Sequence, residues 1–292
     1  EHIRFLGYIR CVGTGPKGNR HLNYEEMRDA FELIVQRRVP DVAISAFLLG
    51  WRVQIESDEE LSACVDWLAQ KQITITKRGV EIGYPFDGRA KFFPIMLKAA
   101  EHLNGLDIQA SYDLPLGPKY GHTLNQFTHI APNVTLYNRR DLIEGLSDLT
   151  TLRNNIGIRT AFNTLEKLNF LAPTALIGMH HAPYFDLYAS LYGKHYQRLL
   201  IVQGHEGTPE ILKKTKYKLV QDTEITTHHI DPEEFGIEPI SAKEEMSLET
   251  MQELMENPDE NLAKMIRLNA AFLGWAAGNF ESIEKGFMCL QD

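Results

Sequence analysis

The chain has 292 residues, 43% hydrophobic and 24% charged, an ordinary balance for a globular protein with material for two domains sharing a cleft. Its net charge of −9 argues against a general polyanion binder. No apolar run reaches the roughly 18 residues that span a bilayer, so no membrane partner is expected. Cys11, Cys64 and Cys289 are odd in number and far apart, which points to free thiols in a reducing cytoplasm. The first residues show no secretory leader, and the absence of an initiator methionine reads as a trimmed or partial start. The charge is uneven. Residues 231–292 hold 14 acidic and 4 basic side chains, whereas residues 1–230 hold 25 and 26, so a cleft built from the earlier part need not repel anions.

Asn23 followed by Glu26 reads as a helix N-cap with a capping-box partner, and Met27, Phe31, Ile34 and Val35 then share one helical face. Pro40 is expected to end that helix, with a second, more buried one over 42–51. Ser57 and Glu60 repeat the capping pattern ahead of Leu61, Val65 and Leu68. Residues 1–70 thus read as all-helical. After Gln70 the rhythm changes. Ile73-Thr-Ile-Thr and Val80-Glu-Ile are strand-like, and an apolar helix is expected over 92–103. Ile108-Gln-Ala, Ala175-Leu-Ile-Gly and Leu199-Leu-Ile-Val read as further buried strands alternating with helices. Helix returns over 142–155, and 241–260 reads as a solvated acidic helix face with a loop. The expected fold class is α/β in two domains, a small N-terminal all-helical domain (1–72) and a larger domain (73–292) with a mainly parallel central sheet.

Some features admit two readings. Gly13-Thr-Gly-Pro-Lys-Gly-Asn-Arg is not a phosphate loop, because no strand precedes it in a βαβ setting. It reads as a basic arm or a plain turn. Lys213, Lys214, Lys216 and Lys218, interleaved with Tyr217, fit either a run tracking a nucleic-acid backbone or a solvated helix end. His180-His181 and His228-His229 are adjacent pairs, and neighbours on a strand point to opposite faces, so neither is a natural chelate. Trp51, Trp67 and Trp275 read as core. In Gly157-Ile-Arg-Thr-Ala-Phe-Asn-Thr-Leu-Glu-Lys, the glycine permits a sharp turn, and Thr160, Asn163 and Thr164 supply short polar groups able to bond to backbone.

That last stretch, with Arg153 before it, resembles the substrate-cleft block of the anthranilate phosphoribosyltransferase family, glycosyltransferase family 3. Ala46-Phe-Leu-Leu-Gly-Trp-Arg, Gly204-His-Glu-Gly-Thr-Pro-Glu, Ile230-Asp-Pro-Glu-Glu-Phe-Gly and Leu268-Asn-Ala-Ala resemble other blocks of that family. The resemblance implies a fold like that of phosphoribosyltransferases and nucleoside phosphorylases. It also implies that the helix around 140–160 returns to the helical domain, and that the helical domain forms a homodimer. The chain departs from the family where phosphate is handled. Tyr84-Pro-Phe-Asp-Gly-Arg-Ala-Lys stands where active members carry Gly-Thr-Gly-Gly-Asp. Ser111-Tyr-Asp-Leu-Pro-Leu-Gly-Pro-Lys-Tyr-Gly-His-Thr replaces Lys-His-Gly-Asn, and Pro209-Glu210 replaces an Asp-Glu pair. Ordinary anthranilate transfer is therefore not expected. Gly13-Thr-Gly-Pro-Lys-Gly, Gly117-Pro-Lys-Tyr-Gly-His-Thr and Glu166-Lys167-Leu168 look like a diverged branch that lacks the phosphoribosyl pyrophosphate motifs.

The candidate anion-binding residues are then Asp87, Gly88, Arg89, Lys91, Lys119, His122, Thr123 and Arg153. Arg89, Lys91 and Lys119 would meet an anion by direct charge or lie on exposed turns. Arg153 corresponds to the arginine that receives the acceptor's carboxylate, or else pairs with a nearby acid. Arg159 reads as structural. Glu210 and Asp87 would hold Mg2+ if the protein is a pentosyl- or phosphoribosyltransferase. The alternative function is a non-sequence-specific nucleic-acid-binding paralogue, its partner single-stranded nucleic acid along a basic groove of the dimer. A third is a scaffold using the dimer alone.

Overall fold

In the computed structural model, which describes residues 1–71 and 78–290, four helices open the chain: α1 (His2–Gly13), α2 (Tyr24–Val35), α3 (Asp41–Gln54) and α4 (Asp58–Lys71). Local chemistry sets their starts. Glu26 N donates to Asn23 Oδ1 at 2.9 Å while Asn23 N donates to Glu26 Oε2 at 3.1 Å, and Ser57 and Glu60 reproduce the exchange at α4. The Glu60 carboxylate is fully buried and also accepts from Leu22 N and Trp51 Nε1, tying the approach to α2 and the end of α3 to the start of α4. Contrary to the expectation from sequence, Pro40 does not end α2. That helix stops at Val35, Arg37 takes a φ of 56°, and Pro40 instead caps α3, where a proline's fixed φ and missing N–H do no harm.

The rest of the chain runs β1 (Val80–Gly83), α5 (Ile95–Ala99), β2 (Ile108–Tyr112), β3 (Val134–Asn138), α6 (Arg139–Leu142), α7 (Glu144–Ile156), α8 (Phe162–Leu165), β4 (Thr174–Gly178), α9 (Tyr184–Tyr192), β5 (Arg198–Val202), β6 (Thr215–Gln221), β7 (Glu224–Ile230), α10 (Leu248–Glu256), α11 (Glu260–Ala276) and α12 (Ile283–Cys289). The strand expected at Ile73-Thr-Ile-Thr and the boundary after residue 72 lie outside the described residues. The helix expected over 92–103 is shorter, because Pro94 disfavours helical backbone at Phe93 and α5 starts only after it. The lysine cluster at 213–218 is not a helix end but leads into β6. Lys214 pairs with Asp231, Lys218 pairs with Asp186, and both Lys216 and Lys218 lie over the Phe185 ring.

One seven-stranded sheet results, ordered β3-β2-β1-β4-β5-β6-β7. The first five strands are mutually parallel and β6 and β7 extend the sheet antiparallel. Alternation along β4 and β5 divides the core. Ala175, Ile177, Leu199 and Ile201 join the helical bundle of α1–α4, α7 and α8, and α9. Leu176, Leu200 and Val202 join α5, α10, α11 and α12 on the other face. The order of connection reverses between β1 and β4, and sheets of this kind place ligands beyond the strand carboxyl ends at such a switch point. The helix α7 returns to pack on α2 and α3, forming a wall over that crevice. All three cysteines are free, and no described helix is long and apolar enough to cross a membrane.

Candidate anion-binding cleft

The loops after β1 and β2 are zipped together. Arg89 N donates to His122 O at 2.8 Å and His122 N to Arg89 O at 2.7 Å, while Gly121 N donates to Asp87 O at 2.8 Å. Gly88 is required there. Its φ is +81°, and a β-carbon would lie 2.4 Å from Gly121 O. Thr123 caps the short turn Leu124–Gln126. Of the expected candidates, Asp87, Gly88, Arg89, Lys91, Lys119, His122 and Thr123 are therefore carried by two interlocked loops.

The loop after β5 meets them. Glu206 sits at φ 51° and accepts from Lys119 Nζ at 2.9 Å and Lys91 N at 3.3 Å, with Arg89 Nη2 at 3.7 Å. Burial opposes its charge, but Arg89, Lys119 and His205 hold its carboxyl below the ordinary value. Glu210 is fully buried and accepts from Arg89 Nη2 at 2.6 Å, Tyr84 Oη at 2.7 Å and Thr208 Oγ1 at 3.1 Å. Burial pushes its carboxyl up, against the pull of Arg89. Burial and the neighbouring Arg89 charge push His205 down to about 4.

Arg89 is buried rather than set on an exposed turn. Its side chain is 2% exposed and bonds Glu210 and the Phe92 and Phe93 carbonyls, while its Nη1 is buried without a hydrogen-bond partner. Lys119 retains 20% exposure and Arg159 54%, with Arg159 reaching Asp87 at 3.4 Å. Arg153 is held elsewhere. It bonds Glu166 at 2.8 Å and Asn163 at 3.0 Å and is nearly fully buried. Arg139 lies in the same network, bonding Glu166, Asp113 (2.6 Å) and Thr150 (3.1 Å) over the Phe86 ring. The pairing of Arg153 with a nearby acid, one of its two sequence readings, is the one observed. Sequence reasoning read Tyr84 only as a bulky residue in the altered turn and did not single out Arg139 and Asp113, whose partners are distant in the chain.

Magnesium would have to compete here with partners already in place. Among the described residues no group of three or more His, Cys, Asp or Glu side chains could hold a metal ion. Glu206 already accepts from Lys119 and the Lys91 N–H, and Glu210 from Arg89, Tyr84 and Thr208. Bulky Tyr84 and Phe86, and Pro85 without an N–H, line the turn where a phosphate cradle would need open backbone donors.

Gly157 ends α7 in the left-handed region, φ 75°, turning the chain into the segment that floors the cleft. Asn163 Oδ1 accepts from Thr160 N at 3.4 Å. At the ends of β1 and β4, Gly83 and Gly178 allow backbone to press close. A β-carbon on the first would lie 2.4 Å from Lys167 O, and on the second 2.2 Å from Gly207 O.

Comparison with known proteins places this architecture. Residues 131–292 match the family model described as "Glycosyl transferase family, a/b domain", and residues 7–71 match its "helical bundle domain". An uncharacterized protein of Aquifex aeolicus (strain VF5) is 27% identical over 91% of this chain and 91% of its own length. The anthranilate phosphoribosyltransferase of Persephonella marina (strain DSM 14350 / EX-H1) is 24% identical over 96% of this chain and 91% of its own. The solved anthranilate phosphoribosyltransferase of Saccharomyces cerevisiae, in complex with PRPP and Mg, superposes with a TM-score of 0.78 at 15% identity, covering 100% of this chain and 93% of that one.

Proposed function

The chain belongs to the glycosyl transferase family, and from that premise we propose that its interdomain cleft binds an oxyanion ligand through side-chain cations, without magnesium and without transferring phosphoribose to anthranilate. One observation carries this reading. The acids of the loop after β5, Glu206 and Glu210, are already engaged by Lys119 and Arg89. Glu210 is the buried counter-charge of the Arg89 guanidinium, so drawing it to a divalent ion would strand that guanidinium. Lys119 and Arg159 keep 20% and 54% exposure while paired with Glu206 and Asp87, and they supply the positive charge that the cleft offers to a ligand.

The reading places the chain in the diverged branch of its family. Isothermal titration of PRPP into the protein, with and without magnesium chloride, tests it. Equal affinity is expected in both, Lys119→Met should weaken binding about tenfold, and anthranilate should not be consumed. Affinity that appears only with magnesium, accompanied by anthranilate turnover, would overturn it, as would no heat at millimolar ligand.

The proposal extends to assembly. Two copies pair through the helical bundle, whose surface leaves Ile3, Val42 and Val53 86%, 76% and 74% exposed. Free thiols accord with the reducing cytoplasm of the same reading.

A further inference from the structure

Beyond Arg159 the crevice widens into a cavity of about 420 Å³, between the 159–167 segment and the residues that follow β4. Arg159, Thr160, Lys167 and His180 line it, with the Tyr188 ring at its side and no Asp or Glu in its wall. One of these groups lacks the partner that its surroundings call for, and another carries a charge with no counter-ion among the described residues. Thr160 is 3% exposed, and its hydroxyl has no hydrogen-bond partner, although buried hydroxyls ordinarily find one. The Lys167 backbone is fixed, its N–H donating to Tyr192 Oη at 3.3 Å and its carbonyl pressed against the end of β1. Its ammonium lies 5.7 Å from the centre of the Tyr188 ring and forms no ion pair among the described residues.

We propose that Thr160 and Lys167 form a subsite for the oxyanion of a small phosphorylated or carboxylated molecule, with Arg159 at its rim. This rests on the reading of the cleft given above and names the group that the cleft holds. A phosphate or carboxylate has two or more acceptor oxygens. One accepts from Thr160 Oγ1 and another from the Lys167 ammonium. The cavity is large enough for a small organic ligand behind that group.

The titration of Lys167 gives the subsite its own readout. Burial pulls the ammonium down to about 8, Arg159 adding to the fall while Asp87 and Glu166 oppose it. The other groups around the cavity are Arg52 from α3, His180 and His181 after β4, and Tyr184 and Tyr188 from α9. Burial holds His180 below its ordinary value, so it is neutral at pH 8. An anion beside Lys167 favours the ammonium and raises its pKa. Binding at pH 8 therefore takes up a fraction of a proton, and affinity falls as pH climbs through about 8.

The experiment titrates inorganic phosphate and acetate separately into the full chain at pH 8, in two buffers of different ionisation enthalpy. Lys167→Met, Thr160→Val and Lys119→Met are run alongside. Binding with proton uptake is expected, the uptake lost in Lys167→Met and the affinity reduced about tenfold in Thr160→Val. Uptake with phosphate alone assigns a phosphorylated ligand, with acetate alone a carboxylated one, and with both the shared oxyanion chemistry. Anion binding that falls with Lys119→Met but ignores Lys167→Met and Thr160→Val would overturn the subsite and leave the cleft reading standing. No heat from either ion at millimolar concentration would overturn both. Should Lys167→Met fail to fold, proton uptake by the unaltered chain and the near-isosteric Thr160→Val still decide, and binding without uptake counts against the subsite.

Discussion

Removing the Glu210 carboxylate would leave the buried Arg89 guanidinium with two carbonyl acceptors and only the more distant Glu206 as counter-charge, and would strip Tyr84 Oη of its acceptor. Breaking one side of a buried pair costs about 3–5 kcal/mol, whereas replacing both partners by apolar groups is often nearly neutral. Glu210→Leu should therefore destabilise the protein by about 3–5 kcal/mol in urea unfolding, and Arg89→Met/Glu210→Leu should recover most of that loss. A double variant whose cost equals the sum of its singles would show that the two side chains do not act as a pair. The same residues explain how far the site could be read in advance. Glu210, Arg89 and Lys119 were visible as candidates, since each stands in a loop whose motif departs from the family's. Their mutual neutralisation was not, because Arg89 and Glu210 lie 121 positions apart, and no local pattern reports which charges will be buried together.

At the scale of elements, legibility followed locality. The starts of α2 and α4 were written in pairs three residues apart, Asn23/Glu26 and Ser57/Glu60, whose hydrogen bonds close within one turn. The strands β1, β2, β4 and β5 were apolar runs because a parallel sheet covered on both faces needs them. The strands β3, β6 and β7 carry polar or charged residues toward the sheet edges, as edge strands do, and so lost the signal that marks a buried strand. Helix contacts show the converse, where a residue without a side chain decides the packing. Gly145 opens α7, and a β-carbon there would lie 1.6 Å from Val35 O at the end of α2. Intrinsic propensity alone would make Gly145→Ala stabilising by about 1 kcal/mol. Forcing the two helices apart costs about 1–3 kcal/mol or more, so the steric effect wins. The substitution should lower the thermal midpoint, and an unchanged or higher midpoint would mean that α7 is free to move on α2.

The whole molecule is electrically and hydrophobically lopsided. Most of its net negative charge resides in residues 231–292, which supply α10, α11 and α12 on the sheet face away from the helical bundle. The cleft draws its charged groups from the earlier, nearly neutral part of the chain, so the overall acidity does not bar an anion from it. Apolar exposure is concentrated at the opposite end. On α3, Val42, Leu49 and Val53 recur at spacings of seven and four residues, which puts them on one helical stripe, and they are 76%, 48% and 74% exposed. Residues deeper in the same helix, Ile44, Phe47, Leu48 and Trp51, face the core, so the outer stripe is not needed to hold the bundle together. A charge placed on it should leave the fold intact and abolish pairing, since an unpaired carboxylate in a protein interface is costly. Val42→Glu/Val53→Glu is expected to keep the circular dichroism and thermal midpoint of the unaltered chain. In light scattering coupled to size exclusion, its mass should fall from that of two chains to that of one. A variant that still elutes as a pair, or an unaltered chain already monomeric at micromolar concentration, would remove the helical bundle as the site of assembly.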